Sequence, residues 1–126
     1  MINDIVADAL ARIKNAVMRE SKEVTLINSK LVKSILDVMK QEEFIDSYEV
    51  VDNGLKVVLS YENDMPVVSN FIKVSKPGQR IYVAAKELIP VMNGRGISVI
   101  STSQGVMTGA LAKSKGLGGE YICKIW

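Results

Sequence analysis

The chain has 126 residues, 48% of them apolar, enough to fill a core without help from a metal or a disulfide. Its single cysteine excludes an internal bridge and a cysteine-based zinc site, which fits a reducing, cytoplasmic setting, and the lack of any histidine removes the commonest general base and metal ligand. The net charge of +2 hides a split: residues 1–65 hold eight Lys or Arg against twelve Asp or Glu, a balance of −4, whereas residues 66–126 hold eight against two, a balance of +6, so an anionic partner such as nucleic acid is expected for the second half.

The opening "MINDIVADALARIKNA" carries acids too early for a signal or transit peptide, and no apolar run nears the roughly eighteen residues that span a bilayer. Ile5, Val6, Ala9, Leu10, Ile13, Ala16 and Val17 recur at helical spacing behind Asn3 or Asp4, either of which suits an N-cap. The polar side of this helix shows Asp8, Arg12, Lys14, Asn15 and Arg19. "EVTLIN" reads as a short strand, and Asn28 or Ser29 can cap a second helix carrying Leu31, Val32, Ile35, Leu36 and Met39, with Glu42 and Glu43 at its exposed end. "FIDSYEVV" and "LKVVLSY" flank Asp52-Asn53-Gly54, where Asn-Gly is expected to supply the positive φ angles of a tight hairpin. "ENDMP" reads as a surface connection, and a domain junction is placed there, giving a 1–65 N-terminal α+β domain and a 66–126 β-rich domain.

Beyond the junction, "VVSNFIKV", "QRIYVAA", "GISVIS" and "EYICKIW" are β-rich and separated by "KPG", "NGRG" and "KGLGG", a turn-dense pattern expected of an antiparallel sheet. "KELIP" suits one helical turn, and Thr108 can cap "GALAKSK" with Gly116 as its stop. The fold class is therefore α+β: two helices and a small sheet, then a β-rich domain with short helices.

Catalysis finds little footing. Cys123 alternates between Ile122 and Lys124 in an apparent strand and reads as a buried structural thiol. "NGRGIS" and "GLGGE" match no nucleotide fingerprint, because such motifs need glycines between a strand and a following helix, and they read as tight turns between strands. Ser101, Thr102 and Ser103 are more informative. Hydroxyls are short, uncharged and both donor and acceptor, so a row of them ending in Gln104 and Gly105 can meet phosphates, riboses and base edges of irregular RNA, with Gly105 keeping the backbone approachable. Tyr82 in "SKPGQRIY" can stack on a base while Lys76 and Arg80 hold phosphates.

"SKPGQRIY", "GRGISVISTSQGVMT" and "GLGGEYICKIW", preceded by "DIVADALARIKNA" and "NSKLVKSILDVMKQEEFI" in order and spacing, closely resemble the bacterial-type family of ribosomal protein eight of the small subunit over the whole chain. The resemblance implies a two-domain α+β protein without enzyme activity or cofactor. Its partners would be the central domain of small-subunit ribosomal RNA, neighbouring ribosomal proteins and its own operon messenger RNA, which it would repress, with no membrane and no small-molecule substrate. It assigns the main RNA contact to Ser101, Thr102 and Ser103, with Tyr82, Gly119 and Glu120 beside them. A second RNA surface falls on Arg12, Lys14, Asn15, Ser29 and Lys30. The chain departs from the family pattern where lysine usually follows Ser-Thr-Ser (Gln104), where basic residues follow Arg-Ile-Tyr (Val83, Ala84, Ala85), and where an acid and arginine follow Val-Met-Thr (Gly109, Ala110). Each lost cation removes a possible phosphate contact, so a shallow salt dependence is expected, with Lys86, Lys113 and Lys115 as candidate substitutes. Val106 and Met107 are expected to turn the chain back into the core. The rival readings are a protein-interaction module receiving a strand at a sheet edge, which leaves the charge split unexplained, and an esterase using Ser101 or Ser103, which lacks a histidine base.

Overall fold

A computed structural model describes residues 4–126, so Asn3, one of the two candidate caps, lies outside the described residues. The chain gathers into two compact units, one reaching to Ser69 and the other Asn70–Trp126.

In the first unit, helix α1 (Ile5–Met18) starts where the Asp4 carboxylate accepts from the Ala7 amide at 3.0 Å, and it buries the stripe Val6, Ala9, Leu10, Ile13 and Ala16. Strand β1 (Glu23–Leu26) follows, shorter than its β-forming run suggests. Helix α2 (Lys30–Gln41) is capped by Ser29 and buries Val32, Ile35, Leu36, Val38 and Met39. Leu31, expected on the apolar face, is exposed instead, because the stripe that alternates in steps of three and four passes through Val32 and Ile35. Each helix closes on a glutamate in the left-handed region, Glu20 and Glu43, with Ser21 donating back to Ala16 and Phe44 to Met39.

Strands β2 (Ile45–Val51) and β3 (Gly54–Leu59) form the expected hairpin, and β1 pairs with the other side of β3, giving the antiparallel order β1-β3-β2. The turn chemistry differs from expectation. Only Gly54, at φ +140°, takes a positive φ in this turn; Asn53 does not. Gly54 is required twice over, by that angle and because a Cβ there would strike the Leu26 carbonyl oxygen of the neighbouring strand. The primed turn lies further on. "ENDMP" is a small hairpin, strand β4 (Tyr61–Glu62) against β5 (Met65–Pro66), in which Asn63 and Asp64 both take positive φ, 53° and 63°. Leu55, Val57 and Leu59 alternate inward from β3, and Leu26, Ile45 and the two helix stripes join them in an apolar core.

The second unit is a five-stranded antiparallel sheet. Strands β6 (Phe71–Lys73), β7 (Tyr82–Val83), β8 (Ile97–Thr102), β9 (Gly105–Thr108) and β10 (Gly119–Ile125) are arranged β6-β10-β8-β9, with β7 on β10 beyond β6. Asn70 and Trp126 exchange backbone hydrogen bonds, tying the two ends of the unit together. "VVSNFIKV" and "QRIYVAA" yield far shorter strands than their composition suggests, because only a few of their residues find room along β10. "KELIP" gives a 3-10 turn at Ala85–Glu87. Helix α3 (Gly109–Ser114) is capped by Thr108, which accepts from Leu111 at 3.2 Å, and stops at Gly116 with φ +69°. Leu88, Ile100, Met107 and Ala112 form a cluster under α3, with Val83, Leu117 and Tyr121 packed against it. Cys123 is fully buried in β10, and burial pushes its thiol pKa up to about 12, with Lys73 pulling weakly the other way.

Candidate nucleic-acid interface

Period-two alternation puts Ser101 and Thr102, successive residues of β8, on opposite faces of the sheet, and Ser103 lies beyond them in the turn. The three hydroxyls therefore do not form the single flat row that the sequence suggests. The Thr102 hydroxyl is occupied locally: it donates to the Gly105 carbonyl at 2.8 Å and accepts from the Gln104 amide at 3.1 Å. It shapes the loop, while Ser103 and Gln104 form its exposed tip. Gly105 pairs with Thr102 at φ +112°, and no atom lies within 4 Å of where its Cβ would sit. Backbone conformation rather than space within the chain demands glycine here. The segment "GVMT", expected only to turn the chain inward, is itself a strand paired with β8 in the register Ser101↔Val106 and Ile100↔Met107, and Met107 is buried.

The register brings distant residues into one row. Tyr82 of β7 stands opposite Glu120 of β10, which stands opposite Ser101 of β8. Glu120 is thus flanked by the ring and the hydroxyl, and the Arg80 guanidinium lies 3.4 Å from its carboxylate, with the Arg80 side chain exposed and that of Glu120 partly buried. Tyr82 is 70% exposed, so most of its ring is available for stacking. Gly119, one residue earlier on β10, pairs with Val83, and a Cβ there would strike the Ser101 carbonyl oxygen; one on Gly118 would strike that of Val83. These glycines, read as turn residues, are instead places where strands come too close for a side chain. The physical reason is the crowding of three strands at this corner of the sheet.

Lys76 sits in the tight turn "KPGQ", where Lys76 and Gln79 exchange backbone hydrogen bonds of 3.0 Å. The residue that sequence reasoning passed over is Ser75. It is completely buried, and its hydroxyl accepts from the Ile81 amide at 2.9 Å and donates to the Ile81 carbonyl at 3.2 Å. A serine just ahead of the Lys76-Pro77-Gly78 turn is the signal that could have found it, since such hydroxyls stand in for backbone groups. The Ile81 carbonyl also accepts from the Tyr121 amide at 2.8 Å. Tyr121 lies on the face opposite the Tyr82 row; burial raises its hydroxyl pKa against the pull of a hydrogen bond from Ser98, and the Lys124 ammonium sits 5.9 Å from its ring centre.

Of the cations put forward as substitutes, Lys113 is engaged, donating to the Leu88 carbonyl at 3.0 Å, while Lys86 and Lys115 are exposed. Gly109, where the family pattern has an acid, is buried against Ser98 so tightly that a Cβ would meet the serine hydroxyl. A side chain there would have to displace the Ser98 hydroxyl, which is a side-chain end and not backbone.

The residues expected to form a second RNA surface lie in the first unit. Arg12 is bound to Asp8 one turn earlier at 2.9 Å, and with Asn15, Arg19, Ser21 and Thr25 it lines an open groove of about 230 Å³ between α1 and β1. Lys14 is exposed on the same helix; Lys30 is exposed at the start of α2, where the Ser29 hydroxyl caps the helix by accepting from Val32 at 3.5 Å. Ser29 is thus accounted for by helix capping.

Comparison with known proteins agrees over the full length. The family model described as ribosomal protein S8 matches residues 4–126. The chain is similar to the small ribosomal subunit protein uS8 of Dehalococcoides mccartyi (45% identical) and of Nitratidesulfovibrio vulgaris strain Miyazaki F (41%), and to uS8c of Ostreococcus tauri (43%), each match covering all of both chains.

Proposed function

The chain belongs to the ribosomal protein S8 family, and from that premise we propose that its second unit binds the central domain of small-subunit ribosomal RNA through the Tyr82–Glu120–Ser101 row and the Ser103-Gln104 tip. Membership makes it a structural constituent of the small ribosomal subunit, with ribosomal RNA and ribosomal proteins as neighbours, and not an enzyme. Binding to the central domain would order that RNA during subunit assembly. A messenger RNA of its own operon that imitates the site would be held by the same edge, and translation repressed.

The register carries the proposal: it sets an exposed aromatic ring, a carboxylate and a hydroxyl side by side across three strands. A ring takes an unstacked base, a hydroxyl takes a ribose or base edge, and a carboxylate accepts from a base amino group. Arg80 beside Glu120 lowers the cost of bringing that acid near phosphates. Thr102 and Gly119 act underneath, the first by shaping the loop and the second by letting β8 and β10 meet. Arg12, Lys14, Asn15 and Lys30 form the second RNA surface on the first unit.

The test is binding of the full chain to a transcript of the central domain across a salt series, with Tyr82→Ala and a Ser101→Ala, Ser103→Ala double variant. Saturable binding by the parent, weakened in both variants, is expected. Binding unchanged in both would move the site elsewhere on the protein.

A further inference from the structure

We infer that Ser75 is a positioning residue for this RNA edge: its buried hydroxyl takes the place of a strand partner for Ile81 and thereby sets Lys76, Arg80 and Tyr82. The inference rests on the RNA reading above. The turn closed by Lys76 and Gln79 would, if its ladder simply continued, place Ser75 opposite Arg80. The observed bonds skip that position. The Ser75 hydroxyl meets both the amide and the carbonyl of Ile81, one residue further on, which leaves Arg80 outside the ladder as an extra residue. Released in this way, its side chain reaches the Glu120 carboxylate.

Ser75 is in turn fixed to β10, since its own amide donates to the Tyr121 carbonyl at 3.2 Å, and to the end of β6, where its carbonyl accepts from the Lys73 ammonium. Ile81 closes the circuit by accepting from the Tyr121 amide. The next residue, Tyr82, then falls opposite Glu120 in the row described above. One hydroxyl thus connects β10 to the loop bearing two cations and the stacking ring. The chemistry is specific. Alanine offers neither donor nor acceptor, cysteine only weak ones, and a bare methyl would leave the Ile81 amide without its partner in a half-buried place.

A neutral, buried side chain has no phosphate to neutralise, so any effect of its removal on the salt dependence of RNA binding must pass through the cations it positions. That separates positioning from loss of packing. The full-length parent, Ser75→Ala, Lys76→Gln and the double variant are titrated with the central-domain transcript at several salt concentrations. Amide hydrogen exchange at residues 76–82 is followed in the free proteins. Expected for Ser75→Ala are a folded protein with faster exchange at Ile81, weaker binding, and a log K against log salt slope shallower by about 0.7–0.9, one phosphate contact. In the Lys76→Gln background the same change should leave the slope as it is. Ser75→Cys, close in shape, should fall between parent and alanine variant. A folded Ser75→Ala with the parent's slope, or with unchanged exchange at Ile81, would overturn the inference while leaving the RNA reading intact. Absence of binding by the parent would overturn the RNA reading itself.

Discussion

Gly119→Ala is the substitution that most directly tests how the corner of the sheet is built. The added Cβ would lie 2.9 Å from the Ser101 carbonyl carbon and 3.2 Å from the Thr102 Cα, and nearer still to the Ser101 oxygen. Carbon atoms pack best at about 3.5–4.0 Å, so β8 and β10 must part by roughly 0.5 Å or more. All the atoms met belong to the backbone, and none can swing aside as a side-chain end would. Overpacking of this kind costs about 1–3 kcal/mol, and one weakened ladder hydrogen bond adds about 1 kcal/mol. A loss of about 2–4 kcal/mol is therefore expected in urea unfolding followed by circular dichroism. The matched control is Gly78→Ala, where no atom lies within 4 Å and φ is ordinary; that change should be neutral or stabilising by up to about 1 kcal/mol. A Gly119→Ala protein as stable as the Gly78→Ala control would refute the close-approach account.

Thr102→Ala removes a donor and an acceptor from the turn and should cost about 1 kcal/mol, whereas Ser101→Ala, which breaks no bond of that turn, should stay within about 0.5 kcal/mol; equal stabilities of the two in urea would count against the division of roles. Cys123 should ignore a thiol-reactive dye at pH 8 and label only in denaturant, since its thiol is buried with a pKa near 12; prompt labelling of the native protein would show that β10 opens. The Tyr48 hydroxyl is bonded to the Asp37 carboxylate, which with some burial pushes its pKa up to about 12. This contribution to stability is complete below the unfolded value near 10 and is lost as pH climbs from about 10 towards 12, as the unfolded chain ionises first. Tyr48→Phe should flatten alkaline destabilisation over that window, and coincident stability curves for the two proteins would contradict it.

How far the sequence revealed this molecule depends on where the deciding interaction lies along the chain. Helices α1 and α2, their caps Asp4 and Ser29, and the cap and stop of α3 are local matters of spacing and side-chain oxygen, and they are readable from a dozen residues. Strand lengths in the second unit are not, because β7 ends where β10 ceases to offer partners, some forty residues away in sequence. The same holds for the glycines. Gly116 and Gly105 declare themselves through turns, but Gly118 and Gly119 are explained only by carbonyls of Val83 and Ser101 that no window around them contains. Ser101 and Tyr82 were legible as polar and aromatic candidates; that Glu120 stands between them is a matter of register. Ser75 escaped notice because a serine is unremarkable until its hydroxyl is seen bonding both backbone groups of Ile81.

The charge of the second half is also less available than its composition suggests. Among its eight Lys and Arg, Lys73 is bound to the Ser75 carbonyl, Arg80 lies against Glu120, Lys113 holds the Leu88 carbonyl and Lys124 sits over the Tyr121 ring. Lys76, Lys86, Arg95 and Lys115 are the exposed cations whose ammonium or guanidinium makes none of these contacts. On the proposed RNA face, a cation already held by its own chain releases few counterions on binding, so composition overstates the salt slope. Lys113→Gln, which keeps a donor for Leu88, and Lys124→Gln should therefore leave the slope of log K against log salt unchanged. Lys76→Gln should reduce it by about 0.7–0.9. An equal reduction from Lys113→Gln would mean that its bond to Leu88 yields to phosphate, and that the positive balance of the second half acts as a diffuse field rather than through a few placed charges.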